Sequence, residues 1–122
     1  MKTVDNLAEK DFRRAFYPRM SDPASLEKNN ALVEQLEALA QKHHVTPGQL
    51  ALAWLLSKGD DVFPIPGTKQ VRFLEENMGA LAVLQRLTAA DLKEIEDNVS
   101  AEMVAGTRYA GMSHSTYHAE KL

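Results

Sequence analysis

Apolar side chains recur with the helical period in four stretches of this chain. The first, over about residues 26–43, places Leu32, Leu36 and Leu39 on one face, and Ser25 is the expected N-cap. The second, about 47–58, opens with the capping box Thr46-Pro47-Gly48-Gln49. This helix is apolar around most of its circumference, which predicts burial. Two further helices are predicted at about 70–83 and about 89–98.

One short apolar run, Val62-Phe63-Pro64-Ile65, has the pattern of a strand. Consecutive apolar residues are typical of a strand buried on both faces, as in a parallel sheet, and Pro64 places it near an edge or an interruption. A lone buried strand would leave its N–H and C=O groups unpaired, at roughly 1–3 kcal/mol each. A strand between helices is also the repeating unit of doubly wound sheets and of (β/α)₈ barrels. We therefore expect the end of a larger α/β protein, whose other strands come from a partner or were lost by truncation.

The chain is expected to divide into three parts. Residues 1–24 form an irregular N-terminal segment, residues 25–100 carry the helices and the strand, and residues 101–122 form a tail that is partly disordered. The length of 122 residues suits one domain or one piece of a larger domain.

Composition narrows the classes of function. The net charge of −3 argues against general nucleic-acid binding, which needs a basic face. The chain has no cysteine, so disulfides and thiolate metal sites are excluded. No apolar run approaches the length of a membrane span, and the N-terminus lacks the apolar core of a signal peptide. A cytoplasmic protein without a membrane partner is expected.

The turn after the predicted strand carries the strongest binding signal. Pro66-Gly67-Thr68-Lys69 leads into the third helix, which has Arg72 in its first turn. Unpaired N–H groups at a helix start and two cations suit a phosphate. Glu76 and Asn77 follow, and an Asn amide can pair with the N6/N7 edge of adenine. Taken alone, the same residues also fit an edge strand followed by a solvated helix start.

Several separate motifs together resemble the C-terminal part of an aldo-keto reductase. They are Asp11-Phe12-Arg13-Arg14, the run from Val45 to Trp54, Pro64-Ile65-Pro66-Gly67-Thr68-Lys69 with Leu74-Glu75-Glu76-Asn77, the run from Leu87 to Leu92, and Val104-Ala105-Gly106-Thr107-Arg108-Tyr109. The likeness extends from about residue 3 to 110, and it is greatest to the branch related to perakine and pyridoxal reductases.

The resemblance implies the last-strand segment of a (β/α)₈ TIM barrel that reduces aldehydes and ketones by hydride transfer from NADPH. It implies that Pro66, Gly67, Thr68, Lys69 and Arg72 surround the adenosine 2′-phosphate of NADP. The same resemblance puts the next two positions, Glu76 and Asn77, beside the adenine.

The family's catalytic Asp, Tyr, Lys and His precede the matched region, and no motif here corresponds to them. The chain alone is therefore expected to be inactive, with NADPH and a small carbonyl substrate as partners only in the full-length context. Self-association through an exposed barrel-facing surface is a further expectation.

The histidines have simpler interpretations than catalysis. His43 and His44 end the first helix, where capping is expected. His114 and His118 have an i, i+4 spacing but no third ligand, so no metal site is expected. The alternative function is a non-catalytic helical interaction module that uses helices 26–43 and 47–58. The acidic charge balance disfavours DNA as its partner.

Overall fold

The computed structural model describes residues 8–107, and this part of the chain is mostly helical. Its elements are α1 (Arg13–Phe16), α2 (Pro18–Ser21), α3 (Pro23–Lys42), α4 (Pro47–Leu56), α5 (Val71–Leu84), α6 (Ala89–Asn98) and a 3₁₀ turn at Ala101–Met103. The four helices predicted from the periodicity are confirmed, with ends shifted by up to three residues. The predicted disorder at the end of the tail and the His114/His118 pair lie outside the described residues.

The start of α3 differs from the prediction. Ser25 is not the N-cap, because its own N–H donates to Asp22 Oδ2 at 2.8 Å and Pro23 is the first helical residue. Asp followed by Pro is the stronger start signal, since the carboxylate accepts the free N–H groups and proline loses no helical bond. Residues 1–24, predicted to be irregular, also contain α1 and α2, each a single turn.

The end of α3 is a Schellman motif built on His44. His44 has a positive φ of 54°, its N–H donates to the Gln41 carbonyl, and the Val45 N–H donates to the Ala40 carbonyl, both at 3.0 Å. His44 therefore caps the helix through its backbone conformation. His43 lies beside α6, with its Nε2 3.6 Å from Asp91 Oδ1.

The capping box predicted at the start of α4 is confirmed, and the structure shows a second one at the start of α6. Thr46 and Gln49 exchange hydrogen bonds at the start of α4, and Thr88 and Asp91 do so at the start of α6.

The hydrophobic core is formed jointly by α3, α4, α5 and α6. Its buried members are Leu39, Ala40, Leu50, Ala53, Val83 and Ile95, with Trp54 packed against them.

The predicted strand at 62–65 is not formed. Within residues 8–107 no strand is present, and the expected burial on both faces is wrong, because Phe63 and Ile65 are exposed. A strand requires backbone hydrogen bonds to a neighbouring strand, and the described residues supply no such neighbour. The local pattern is thus that of a strand without its sheet.

The chain forms two compact units, Met1–Leu32 with Ala101–Leu122, and Val33–Ser100. In the first unit, the Asn29 side chain makes two hydrogen bonds to the backbone of Ala105. Its Nδ2 donates to the Ala105 carbonyl at 3.0 Å, and its Oδ1 accepts the Ala105 N–H at 2.9 Å. Arg19 donates to the neighbouring Gly106 carbonyl. Gly106 has φ 79°, and a Cβ there would lie 2.9 Å from Ser25 Oγ, so only glycine fits. The second unit contains the core described above.

Across residues 8–107, no helix combines the length and the apolar composition needed to cross a membrane.

The α6 cap predicts an acid-sensitive contribution to stability. Asp91 accepts hydrogen bonds from the Thr88 N–H at 2.8 Å and the Thr88 hydroxyl at 2.7 Å, which lower the pKa of its carboxyl group. Because the folded pKa lies below the unfolded one, this contribution is complete above the unfolded pKa and is lost as pH falls through the folded pKa. We expect Asp91→Asn to reduce the loss of stability below about pH 4. Urea midpoints measured between neutral and acid pH test this, and an unchanged acid slope would contradict it.

Candidate cofactor-binding site

Three of the described helices, α4, α5 and α6, begin in the second unit. Of these, only α5 lacks a side-chain cap at its N-terminus. Gln70 occupies the N-cap position without a capping hydrogen bond, and the first turn holds no acidic residue. Thr68 Oγ1 accepts the Gln70 N–H at 3.1 Å, just outside the helix. The Phe73 N–H already donates to the Gln70 carbonyl at 3.1 Å, which leaves the N–H groups of Val71 and Arg72 available to an anion, with the positive end of the helix dipole behind them.

Two cations flank this helix start. Lys69 and Arg72 are both exposed. The Arg72 Nε donates to Gln70 Oε1 at 2.8 Å, and its guanidinium carbon lies 4.5 Å from the centroid of the Phe73 ring. These contacts fix the stem of Arg72 while its terminal NH₂ groups remain able to bind an anion in a bidentate way.

Glu76 is tied to α4. Its Oε1 accepts a hydrogen bond of 2.7 Å from the Thr46 hydroxyl, and its backbone carbonyl accepts one of 3.0 Å from Gln49 Nε2. Gly79 makes room for this network, because a Cβ there would lie 2.5 Å from Gln49 Nε2. One carboxylate oxygen of Glu76 therefore belongs to the contact between α4 and α5, which leaves the other for a ligand.

Asn77 contributes to an apolar pocket of about 400 Å³. The other lining residues are Leu52, Leu56, Val62, Phe63, Pro64, Pro66, Leu74, Met78 and Leu81. Asn77 is half-buried and supplies the pocket's only polar side chain within the described residues. An amide at the wall of an apolar cavity can orient a flat heteroaromatic ring.

The structure thus brings the predicted residues together in two groups. Pro66, Gly67, Thr68, Lys69 and Arg72 lie around the start of α5, and all five are exposed. Glu76 and Asn77 lie one turn further along the same helix, where Glu76 faces α4 and Asn77 faces the pocket.

Sequence reasoning missed the contributions of Gln70 and Gln49. Gln70 orients Arg72 from two residues away, a short-range pairing that the Gln-Val-Arg spacing permits but does not require. The hydrogen bond from Gln49 to the Glu76 carbonyl depends on the packing of α4 against α5. The capping box alone does not predict that packing.

Comparisons with known proteins show the family to which the chain belongs. The sequence model described as the aldo/keto reductase family matches residues 2–99. An NADP(+) aldo-keto reductase of Schizosaccharomyces pombe, yakc, is 48% identical over 108 residues, which cover 88% of this chain and 31% of the relative. A probable aldo-keto reductase 1 of Glycine max is 44% identical over 115 residues, covering 93% of this chain and 32% of the relative. The chain therefore spans about a third of the length of these curated relatives. It belongs to the aldo/keto reductase family, and its ancestry is that of a (β/α)₈ barrel.

Proposed function

We propose that this chain is the NADP-binding C-terminal part of an aldo-keto reductase that reduces aldehydes and ketones by hydride transfer from NADPH. The observation that carries the proposal is the uncapped start of α5 with Lys69 and Arg72 beside it. Family membership and the name of the yeast relative, which includes NADP(+), support the choice of cofactor.

The chemistry of the donor set fits a 2′-phosphate. The backbone N–H groups of Val71 and Arg72 would donate to its oxygens, while Lys69 and Arg72 would neutralise its charge. The Thr68 hydroxyl donates to the Gln70 carbonyl at 3.3 Å in the structure and would turn to donate to the phosphate. Arg72 can present two parallel N–H groups, a geometry that a phosphate matches and a ribose hydroxyl does not. The chain would thus discriminate NADPH from NADH at a point far from the nicotinamide.

The adenine would lie beside Asn77 and the free oxygen of Glu76. An Asn amide offers both a donor and an acceptor to the N6/N7 edge of the ring, and the apolar pocket next to Asn77 excludes water from its face. The bond from Thr46 to Glu76 would hold the carboxylate in place. When bound, NADPH supplies the hydride, and the residues of this chain bind and orient its adenosine end.

Three finer assignments complete the proposal. The protein acts in the cytoplasm, its branch is that of the perakine and pyridoxal reductases, and its substrates are small carbonyl compounds. The resemblance of residues 45–54 and 64–77 to that branch, noted from the sequence, is the support for the second assignment. The chain by itself is also proposed to self-associate.

The chain alone should not reduce carbonyl compounds. Hydride transfer to a carbonyl needs a proton donor at the developing alkoxide, and none of its residues matches the family's catalytic Asp, Tyr, Lys and His. Purified protein, free of host reductases, should show no turnover of an aromatic aldehyde when NADPH absorbance is followed. A full-length relative serves as the positive control. Turnover that co-purifies with the 122-residue chain would refute this part of the proposal.

A further inference from the structure

The side-chain amide of Gln49 makes two hydrogen bonds, of which the capping box needs only one. Its Oε1 accepts the Thr46 N–H at 3.2 Å, which is the capping bond. Its Nε2 donates to the Glu76 carbonyl on α5 at 3.0 Å. At the start of α6 the same position holds Asp91, whose carboxylate has only acceptor oxygens and still completes a capping box. The Nε2 donor of Gln49 is therefore unnecessary for the cap and belongs to the contact between α4 and α5.

Gly79 provides the space for this amide. It lies in the interior of α5, where glycine is less favourable than alanine because it loses more conformational freedom on folding. A Cβ at residue 79 would lie 2.5 Å from Gln49 Nε2. Outside the backbone of α5, the other atom of the described residues within 4 Å is Gln49 Cδ, at 3.6 Å. The Gln49 amide thus fills the space that a side chain at residue 79 would take.

We infer that Gln49 is a positioning residue of the adenine site and that Gly79 is required there because it gives the Gln49 amide its space. Gln49 holds the backbone of α5 at Glu76, and the Thr46 hydroxyl holds the Glu76 carboxylate at 2.7 Å. Asn77 follows Glu76 directly, so a backbone held at Glu76 also fixes where the Asn77 side chain begins. The identity of the ligand rests on the proposed function, whereas the contact between Gln49 and Gly79 does not.

An effect on the adenine site must be shared by both cofactors. NADPH and NADH carry the same adenine and differ at the 2′-phosphate, for which Lys69 and Arg72 are proposed. A misplaced Glu76 or Asn77 should therefore weaken both cofactors by the same factor, whereas a disturbed start of α5 should weaken NADPH more. The ratio of the two losses separates positioning of the adenine residues from a general disturbance of α5.

Gln49→Glu separates positioning from capping. Glutamate keeps the acceptor for the Thr46 N–H but has no donor for the Glu76 carbonyl. In a full-length relative with the same residues at the matching positions, NADPH and NADH binding should both weaken roughly two- to tenfold, as expected for the loss of one hydrogen bond. Gly79→Ala, whose Cβ displaces the amide, should have the same effect. Thr88→Ala removes the cap of α6 and should leave both affinities unchanged.

A double-mutant cycle on the 122-residue chain tests the contact without a cofactor. With Gln49→Ala present, Gly79→Ala should raise the urea midpoint, because alanine favours the helix and its Cβ no longer meets the amide. In the unmodified chain the same substitution should raise the midpoint less or lower it, because the amide must leave its place and its two bonds are lost. The fluorescence of Trp54, which packs against the core, reports unfolding.

Equal shifts of the midpoint on Gly79→Ala in the two backgrounds would show that the Gln49 amide does not occupy this space. The positioning role is overturned if Asn77→Ala weakens both cofactors while Gln49→Glu weakens neither. It is also overturned if Gln49→Glu keeps its full effect in a variant that already lacks the Glu76 and Asn77 side chains. If Asn77→Ala changes neither affinity, the adenine site of the proposed function is wrong and the positioning role falls with it, while the cycle on Gly79 still tests the contact of α4 with α5.

Discussion

Replacing Leu50 by alanine should destabilise the second unit by about 2–5 kcal/mol. Leu50 is 0% exposed and lies in a cluster to which α3, α4, α5 and α6 all contribute. Truncation removes the transfer free energy of its buried methyl and methylene groups and leaves a cavity that the surrounding helices cannot fill completely. Because small domains are stable by only about 5–15 kcal/mol, a loss of this size would leave a large unfolded fraction.

Urea denaturation measures this effect directly. Trp54 is the chain's single tryptophan and packs against the cluster, so its fluorescence reports unfolding of this core. Leu81→Ala is the matched control, since the same atoms are removed from a side chain that is 51% exposed. We expect the control to cost less than about 1 kcal/mol. Similar losses for the two variants would show that Leu50 does not occupy the centre of the core.

Replacing Arg72 by alanine should weaken NADPH binding tenfold to a hundredfold while changing NADH binding little. The proposed bond joins a guanidinium to a dianionic phosphate that NADH lacks, and losing such a charge-assisted contact costs about 1.5–3 kcal/mol. In the proposed complex this chain would supply only one wall of the cofactor groove, so we expect its own affinity to be weak. The measurement therefore uses a full-length relative that carries the matching substitution, titrated with both cofactors.

Two controls define the result. Arg86→Ala removes the same charge just beyond the other end of α5, about 21 Å along the helix axis, and should leave the preference for NADPH intact. Asn77→Ala should weaken NADPH and NADH similarly, because the adenine is common to them. Equal losses of the two cofactors on removal of Arg72 would mean that the phosphate lies elsewhere.

Local signals in the sequence were sufficient for the starts of α4 and α6. The capping boxes at Thr46 and Thr88 act within one turn, so each determines a helix start whatever lies around it. The start of α3 predicted at Ser25 was wrong, because Asp22, three residues earlier, accepts the Ser25 N–H. The following proline decides in favour of Asp22.

The candidate site was predictable in composition but not in arrangement. Lys69 and Arg72 lie near one another in space because they are close in sequence. Their placement at the start of α5 could therefore be predicted without tertiary information. The bond from Thr46 to Glu76 spans thirty residues and exists only because α4 and α5 pack together. Glu76 is therefore already bonded to the residue that caps the neighbouring helix, and nothing in the sequence around Glu76 predicts this.

By itself, the sequence determined where α4, α5 and α6 begin, to within about one residue. These starts depend on side-chain chemistry and on contacts within a few residues. Only the tertiary structure decided that the strand predicted at 62–65 does not form within the described residues and that Phe63 and Ile65 are exposed. A helix satisfies its backbone hydrogen bonds internally, whereas a strand satisfies them only through a neighbour, so no local pattern can guarantee that a strand forms.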